Sequence, residues 1–287
     1  MVTTKVQTGS VVFWTLATFS DRARLRGGWN AAGFAHSAPD ERENVSVLRD
    51  ALAEVFGGSR FLVRPLSARN GFTVVREARG EDENTFATVL TAKVFGSELP
   101  TIAGDQSKSQ EVLAAYARHA GRVTSQQVSA ALVRILQELG GTRLRPSGSV
   151  YWLPGDQADA WQAVTQAVES AADGGTSVGY VISHELDADS VVAVRDAIVH
   201  EVVSEGKRLM DEILTGDLGE RAIKTRKAEA AELRRKVVRY EEILGVGLSH
   251  LKKALDDVEQ TNASAALLLA ADPFGQPSLE VSCVATA

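Results

Sequence analysis

Six apolar residues, Ile223, Ala230, Val237, Leu244, Leu251 and Val258, recur at seven-residue spacing near the C-terminus. Leu233, Tyr240 and Ala254 fill intervening positions, and Arg226 and Gly247 interrupt that second series. A repeat of this kind puts one apolar stripe along a helix, and the stripe must be buried against another helix. The preceding segment offers the partner. Val191, Val194, Ile198, Val202, Leu209 and Ile213 keep helical spacing between Leu186 and Leu214, and Thr215-Gly216-Asp217-Leu218-Gly219 breaks the chain between the two. Helices joined by a short loop are antiparallel neighbours. Residues 186–262 are therefore expected to form an antiparallel helical hairpin. A second helix of about 40 residues would span about 60 Å, so part of it is expected to project.

The N-terminal third reads differently. Val11, Val12, Phe13, Trp14 and Leu16 form a β-branched and aromatic run suited to a buried strand. Asn44 then precedes Val45, Leu48, Leu52, Val55 and Phe56, three or four apart and ended by Gly57-Gly58, which marks a short capped helix. Phe61 to Leu66, Phe72 to Arg79 and Thr85 to Phe95 are strand-like runs separated by Arg69-Asn70-Gly71 and by residues 80–84, so an antiparallel meander is expected. Residues 96–107, rich in turn formers, look like a boundary.

Beyond it, Val112, Leu113, Tyr116 and Ala120 mark a helix ending near Gly121, and Thr124 caps another carrying Val128, Leu132, Ile135, Leu136 and Leu139. A hairpin around Pro146-Ser147-Gly148 follows, then a helix with Trp161, Val164 and Val168 for which Asp156 is the expected cap, then a short strand from Gly179 to Ile182. Helix, helix, hairpin, helix is the element order of winged-helix modules. The expected class is α+β, in four segments: 1–105 with the sheet, 106–185 winged-helix-like, 186–262 the hairpin, and 263–287 a tail whose LEVSCVATA could return a strand to a sheet.

Composition closes off several functions. The net charge of −6 argues against a protein that coats nucleic acid through bulk charge. Cys283 is the only cysteine, which excludes an internal disulfide and Cys-clustered metal sites. The apolar runs Val11 to Ala17 and Leu267 to Ala271 are too short for a signal peptide or a membrane span, so a soluble, cytoplasmic protein without membrane contact is expected.

Motifs for chemistry are weak. His184-Glu185 and His200-Glu201 invite a metal-dependent enzyme built on His184, Glu185 and His200, but neither pair has the second histidine of HExxH, and Asp187 or Asp189 is better read as a helix cap. His36, His119 and His250 stand without partner spacing. Gly27-Gly28, Gly57-Gly58, Gly140-Gly141 and Gly174-Gly175 lack the lysine of a phosphate loop and read as helix stops and turns. No cofactor, metal or catalytic residue is expected.

Binding is the stronger theme. Gln126, Gln127 and Arg134 lie off the apolar stripe of their helix and Arg143 and Arg145 sit on the hairpin, positions at which a winged helix would meet DNA or RNA. Arg221, Lys224, Lys227, Arg234, Arg235 and Arg239 make the start of the last long helix basic, while Asp256, Asp257 and Glu259 follow. That split suits docking on an acidic partner, a nucleic-acid backbone or a second copy, against the plainer reading of a solvated face.

The stretch ALVRILQELGGTRLRPSGSVYWLPGDQADAWQAV, residues 131–164, followed by a long charged helical segment, resembles an uncharacterised family of bacterial and phage-encoded proteins, over residues 85–262. The resemblance implies no activity and favours a role on mobile or phage-like genomes. The function expected is a non-enzymatic interaction or assembly protein that self-associates or binds a protein partner through the helical hairpin, with the winged-helix nucleic-acid binder and the metal-dependent enzyme as alternatives.

Overall fold

A computed structural model describes residues 8–58, 60–79, 84–96, 98–145, 148–215 and 219–271. The chain is α+β, as the patterns indicate, and forms two compact units. The C-terminal unit takes Met1–Val12, Gly140–Asp156 and Ile182–Ala287; the central unit takes Phe13–Leu139 and Gln157–Val181. Strands β1 (Thr8–Thr15) and β11 (Val178–Glu185) carry the chain from one to the other.

In the central unit, β2 (Phe19–Asp21) leads into α1 (Arg22–Ala31), which Asp21 caps by accepting from Arg24 N at 2.8 Å. Gly27-Gly28, expected as a stop, lies inside this helix. A Cβ on Gly28 would stand 2.5 Å from Ala167 Cβ, so glycine is what lets α1 approach its neighbour. Helix α2 (Asn44–Phe56) starts one residue earlier than its expected cap allows. Glu43 is the N-cap, and Asn44 instead donates Nδ2 to Gly96 O at 2.6 Å.

Strands β3 (Phe61–Pro65), β4 (Gly71–Arg79) and β5 (Asn84–Lys93) form the expected meander, and β6 (Thr101–Gly104) adds a fourth antiparallel strand from within the stretch read as a boundary. Helix α3 (Gln106–Ala120) packs on α2, and Leu48, Leu52, Phe56, Phe72, Val74, Leu90, Val112 and Tyr116 share one core.

Strand β7 (Arg122–Thr124) pairs with β2 and ends at the expected cap of α4 (Ser125–Glu138): Thr124 and Gln127 form a complete capping box. Val128, Leu132, Ile135 and Leu136 are buried along α4 as their spacing requires. Strands β8 (Thr142–Arg143) and β9 (Tyr151–Pro154) are the hairpin, and β9 pairs antiparallel with Gly9–Val12 of β1. Helix α5 (Ala158–Ser170) buries Trp161, Val164 and Val168, but its N-cap is Gln157, because a 3-10 turn over Gly155–Gln157 occupies Asp156. Strand β10 (Ala172–Asp173) closes the three-stranded sheet β10-β2-β7. The winged-helix order of elements is thus present, but β8 and β9 belong to the C-terminal unit and α3, α4 and α5 to the central one.

The C-terminal unit combines the sheet of order β11-β1-β9-β8 with α6 (Ala188–Thr215), α7 (Glu220–Leu244) and α8 (Ser249–Ala271). Asp187 caps α6, accepting from Ser190 N at 2.8 Å, and the Ser190 side chain first, then this backbone bond, hold its carboxyl below the ordinary value. The single long second helix expected from the repeat is two helices. The chain breaks at Gly245, whose φ of 64° is left-handed backbone that glycine enters freely, and α8 folds back on α7. The hairpin is therefore α7–α8, and α6 packs against both. All six residues of the repeat are buried, on both sides of the turn. Helix α8 also continues past the expected end at 262; the LEVSCVATA segment and Cys283 lie outside the described residues.

Candidate functional site

The basic residues of α7 fall into two sets. Arg234 bonds Glu259 Oε1 of α8 at 2.9 Å and also Asp256, so the acidic residues read as the far end of one helix are the near neighbours of its basic start. These two carboxylates raise the Arg234 pKa. Arg226, the defect in the repeat, stands 2.5 Å from Glu212 of α6 and 3.1 Å from Glu229; Arg208 of α6 joins the network through Glu205, Glu212 and Glu229. Arg239 binds Asp156 with contacts of 2.8 and 2.9 Å. Arg234, Arg226 and Arg208 thus pair between helices of the bundle, and Arg239 pairs with the turn after β9.

Lys236 goes further inward. Its Nζ donates to Glu201 Oε1 at 2.5 Å and Gly141 O at 2.6 Å, Thr142 Oγ1 hydrogen-bonds the same carboxylate, and Tyr240 donates to Gly140 O at 2.8 Å. Burial lowers the lysine pKa, against the pull of Glu201, and raises that of the enclosed Tyr240 well above its ordinary value. The cluster fixes α7 to the start of β8.

The second set faces solvent. Arg221, Lys224 and Lys227 are exposed on successive turns of α7, three residues apart and hence on one side, and have no ion-pair partner among the described residues. Arg235 is exposed as well and pairs with Glu232 of its own helix. The first turns of α7 therefore present positive charge on a chain whose net charge is −6.

The nucleic-acid candidates do not share a unit. Gln126, Gln127 and Arg134 belong to the central unit, Arg143 and Arg145 to the C-terminal one. Gln127 is engaged in the capping box, Arg134 donates to Ser37 O at 3.3 Å, and Arg143 donates to Tyr151 Oη at 2.9 Å and lies over its ring. Gln126 borders a shallow groove of about 520 Å³ with Trp14, Leu16, Ser129 and Val133, where Trp14 Nε1 donates to Ser129 Oγ at 3.3 Å. Arg145 is exposed, and a Cβ on Gly148 would meet its guanidinium.

His184 and Glu185 are adjacent on β11, so they point to opposite faces, and His200 is exposed on α6. Among the described residues no three His, Cys, Asp or Glu side chains gather in a metal-holding group. The structure instead gives His119 a partner that spacing did not reveal. It is buried at the end of α3, its Nε2 lies 2.8 Å from Glu54 Oε2 of α2, and Arg118 bonds the same carboxylate. Phe19 meets the imidazole edge-on, and the guanidiniums of Arg42 and Arg122 lie over the Phe19 ring. His119 and Glu54 come from segments 65 residues apart. His36 likewise reaches Glu138 at 2.9 Å.

Fold and charge together define an α+β protein with a C-terminal three-helix bundle bearing a basic, solvent-facing start to α7. The chain belongs to a family of unknown function, DUF6744, whose model matches residues 8–273. No curated protein and no solved structure matches it. No helix among the described residues is long and apolar enough to cross a membrane.

Proposed function

We propose that this is a non-enzymatic interaction and assembly protein whose contact element is the C-terminal helical bundle. The observation that carries the reading is the division of labour along α7. Arg226, Arg234, Lys236 and Arg239 are consumed by internal carboxylates and carbonyls, while Arg221, Lys224 and Lys227 hold no carboxylate among the described residues. Charges that do not stabilise the fold cost it nothing when they engage a partner, and a basic patch steers encounter with an acidic surface. The partner chemistry is therefore an acidic protein surface, and the setting is the cytoplasm.

Replacing Arg221, Lys224 and Lys227 with glutamate tests the reading. Association with an acidic partner is expected to weaken by about tenfold or more, from three exposed charges at a few tenths of a kcal/mol each plus the reversal of sign. The fold is expected to persist, since none of the three side chains is buried. The resemblance of residues 131–164 to bacterial and phage-encoded proteins extends the proposal to an origin on mobile or phage-like genomes, which the genes neighbouring this one would test.

A further inference from the structure

The turn between α7 and α8 has a property that a hairpin does not need. Leu244 ends α7 and Leu251 lies in the first turn of α8, and the seven-residue series Ile223, Ala230, Val237, Leu244, Leu251, Val258 passes through the turn without a shift. A hairpin loop is free to take any length, whereas one continuous helix requires this spacing if a single side is to stay apolar. The turn itself is residues 245–248, Gly-Val-Gly-Leu. Gly245 holds it at a positive φ, and Gly247 has open space where a Cβ would be. One side chain latches it: Glu241 accepts from Leu248 N at 2.7 Å through Oε1 and pairs with Lys252 at 2.5 Å through Oε2.

From these observations we propose that α8 exchanges between two copies of the chain: the turn straightens, α7 and α8 become one helix, and each α8 covers the α6–α7 surface of the other copy. This deepens the assembly reading, on which it rests, by naming a second copy as one partner. The receiving surface is already built. Val202, Val237, Tyr240 and Leu244 share a core with Leu248, Leu251 and Leu255, and Arg234 supplies the ion pairs to Asp256 and Glu259. The contacts of Leu251 and Leu255 and both ion pairs are remade with identical chemistry in the exchanged form, so the two forms differ at the turn, Leu248 included. Straightening gives the last carbonyls of α7 and the first N–H groups of α8 helical partners, Leu244 O among them for Leu248 N. Against it stand the latch on Glu241 and the poor helical propensity of Gly245 and Gly247.

The experiment is the oligomeric state of the full-length chain by size-exclusion chromatography with light scattering, for three forms. The parent is expected to show a dimer whose share grows with concentration. Gly245→Ala with Gly247→Ala favours the straight form and is expected to raise the dimerisation constant by about thirtyfold or more. A Gly-Ser insertion between Gly245 and Val246 relaxes the turn and is expected to lower the dimer share. In a Cys283→Ser background, Arg234→Cys with Asp256→Cys reports which α8 lies on which α7. Oxidation is expected to link two chains in the alanine variant and to close an internal link in the inserted one. Monomer at every concentration in the parent and the alanine variant would overturn exchange, as would an alanine-variant dimer that carries only internal links. Should the alanine variant not fold, a parent dimer share unmoved by the insertion overturns it equally. The glutamate substitutions at Arg221, Lys224 and Lys227 leave this equilibrium in place, so loss of the acidic partner and loss of exchange are separate results.

Discussion

Leu244 and Leu251 stand on opposite sides of a left-handed turn and are buried in the same core, seven residues apart. That pair explains why the apolar repeat is both correct about burial and silent about the break. The repeat constrains which side of each helix is covered, and a four-residue turn at 245–248 leaves that constraint intact.

Truncating Leu251 to alanine removes a fully buried side chain from the joint of the bundle. The expected cost is about 2 to 5 kcal/mol, read from urea denaturation of the C-terminal unit, with Lys253→Ala at an exposed position of α8 within about 0.5 kcal/mol of the parent. Equal effects at the two positions would contradict the burial of the repeat.

Glu201 and Lys236, 22% and 10% exposed, form a largely enclosed pair with Thr142 and Gly141 O. Glu201→Ala leaves the ammonium uncompensated and is expected to destabilise by about 3 to 5 kcal/mol, whereas Glu201→Leu with Lys236→Met recovers most of that loss. A double-mutant cycle measures the coupling. Additive losses would mean that the two side chains act independently.

Arg118 first, and then His119, hold the Glu54 carboxyl below its ordinary value of 4.5, against the opposing effect of burial. A carboxyl whose folded value is depressed adds stability that is complete above the unfolded value and disappears as pH falls through the folded one. The contact between α2 and α3 is therefore expected to weaken as pH is lowered from about 4.5, and Glu54→Gln is expected to flatten that part of the profile. Thermal melting across the acid range checks both, and an identical acid limb in the variant would count against the arrangement. Glu54 is partly exposed, so solvent screening keeps the effect small.

Two adjacent glycines in α1 make opposite predictions. Gly28→Ala drives a methyl against Ala167 and is expected to cost about 1 to 3 kcal/mol, while Gly27→Ala, with open space around its Cβ, is expected to be neutral or to stabilise by up to about 1 kcal/mol. Melting temperatures of the two variants separate a packing glycine from a helix stop.

Local signals carried the sequence reading furthest. Thr124 and Gln127, three residues apart, announce the start of α4, and the alternating runs of β3, β4 and β5 announce the meander. What the sequence did not disclose depends on distant neighbours. Gly28 reads as a stop until Ala167 is placed beside it, and Asn44 reads as a cap until Gly96 O takes its amide. Thr101 and Ile102 read as loop because so short an edge strand has only one partly buried residue to mark it. The site was half legible for the same reason. Composition showed the basic start of α7, but only the fold-back of α8 shows that Arg234 is matched by Asp256 and Glu259 while, among the described residues, Arg221, Lys224 and Lys227 are not matched. His119 and Glu54, 65 residues apart, could be joined only by the packing of α3 on α2.

The central claim is that the first turns of α7 are a docking surface for acidic protein. Its most direct measurement is the binding of the full-length chain to immobilised polyglutamate and, in parallel, to a random-sequence DNA duplex, with and without glutamate at positions 221, 224 and 227. Polyglutamate binding is expected, reduced about tenfold by the substitutions, with weaker retention on DNA at the same salt. Binding to DNA alone would move the protein to the nucleic-acid class, and polyglutamate binding unchanged by the three substitutions would contradict the claim outright.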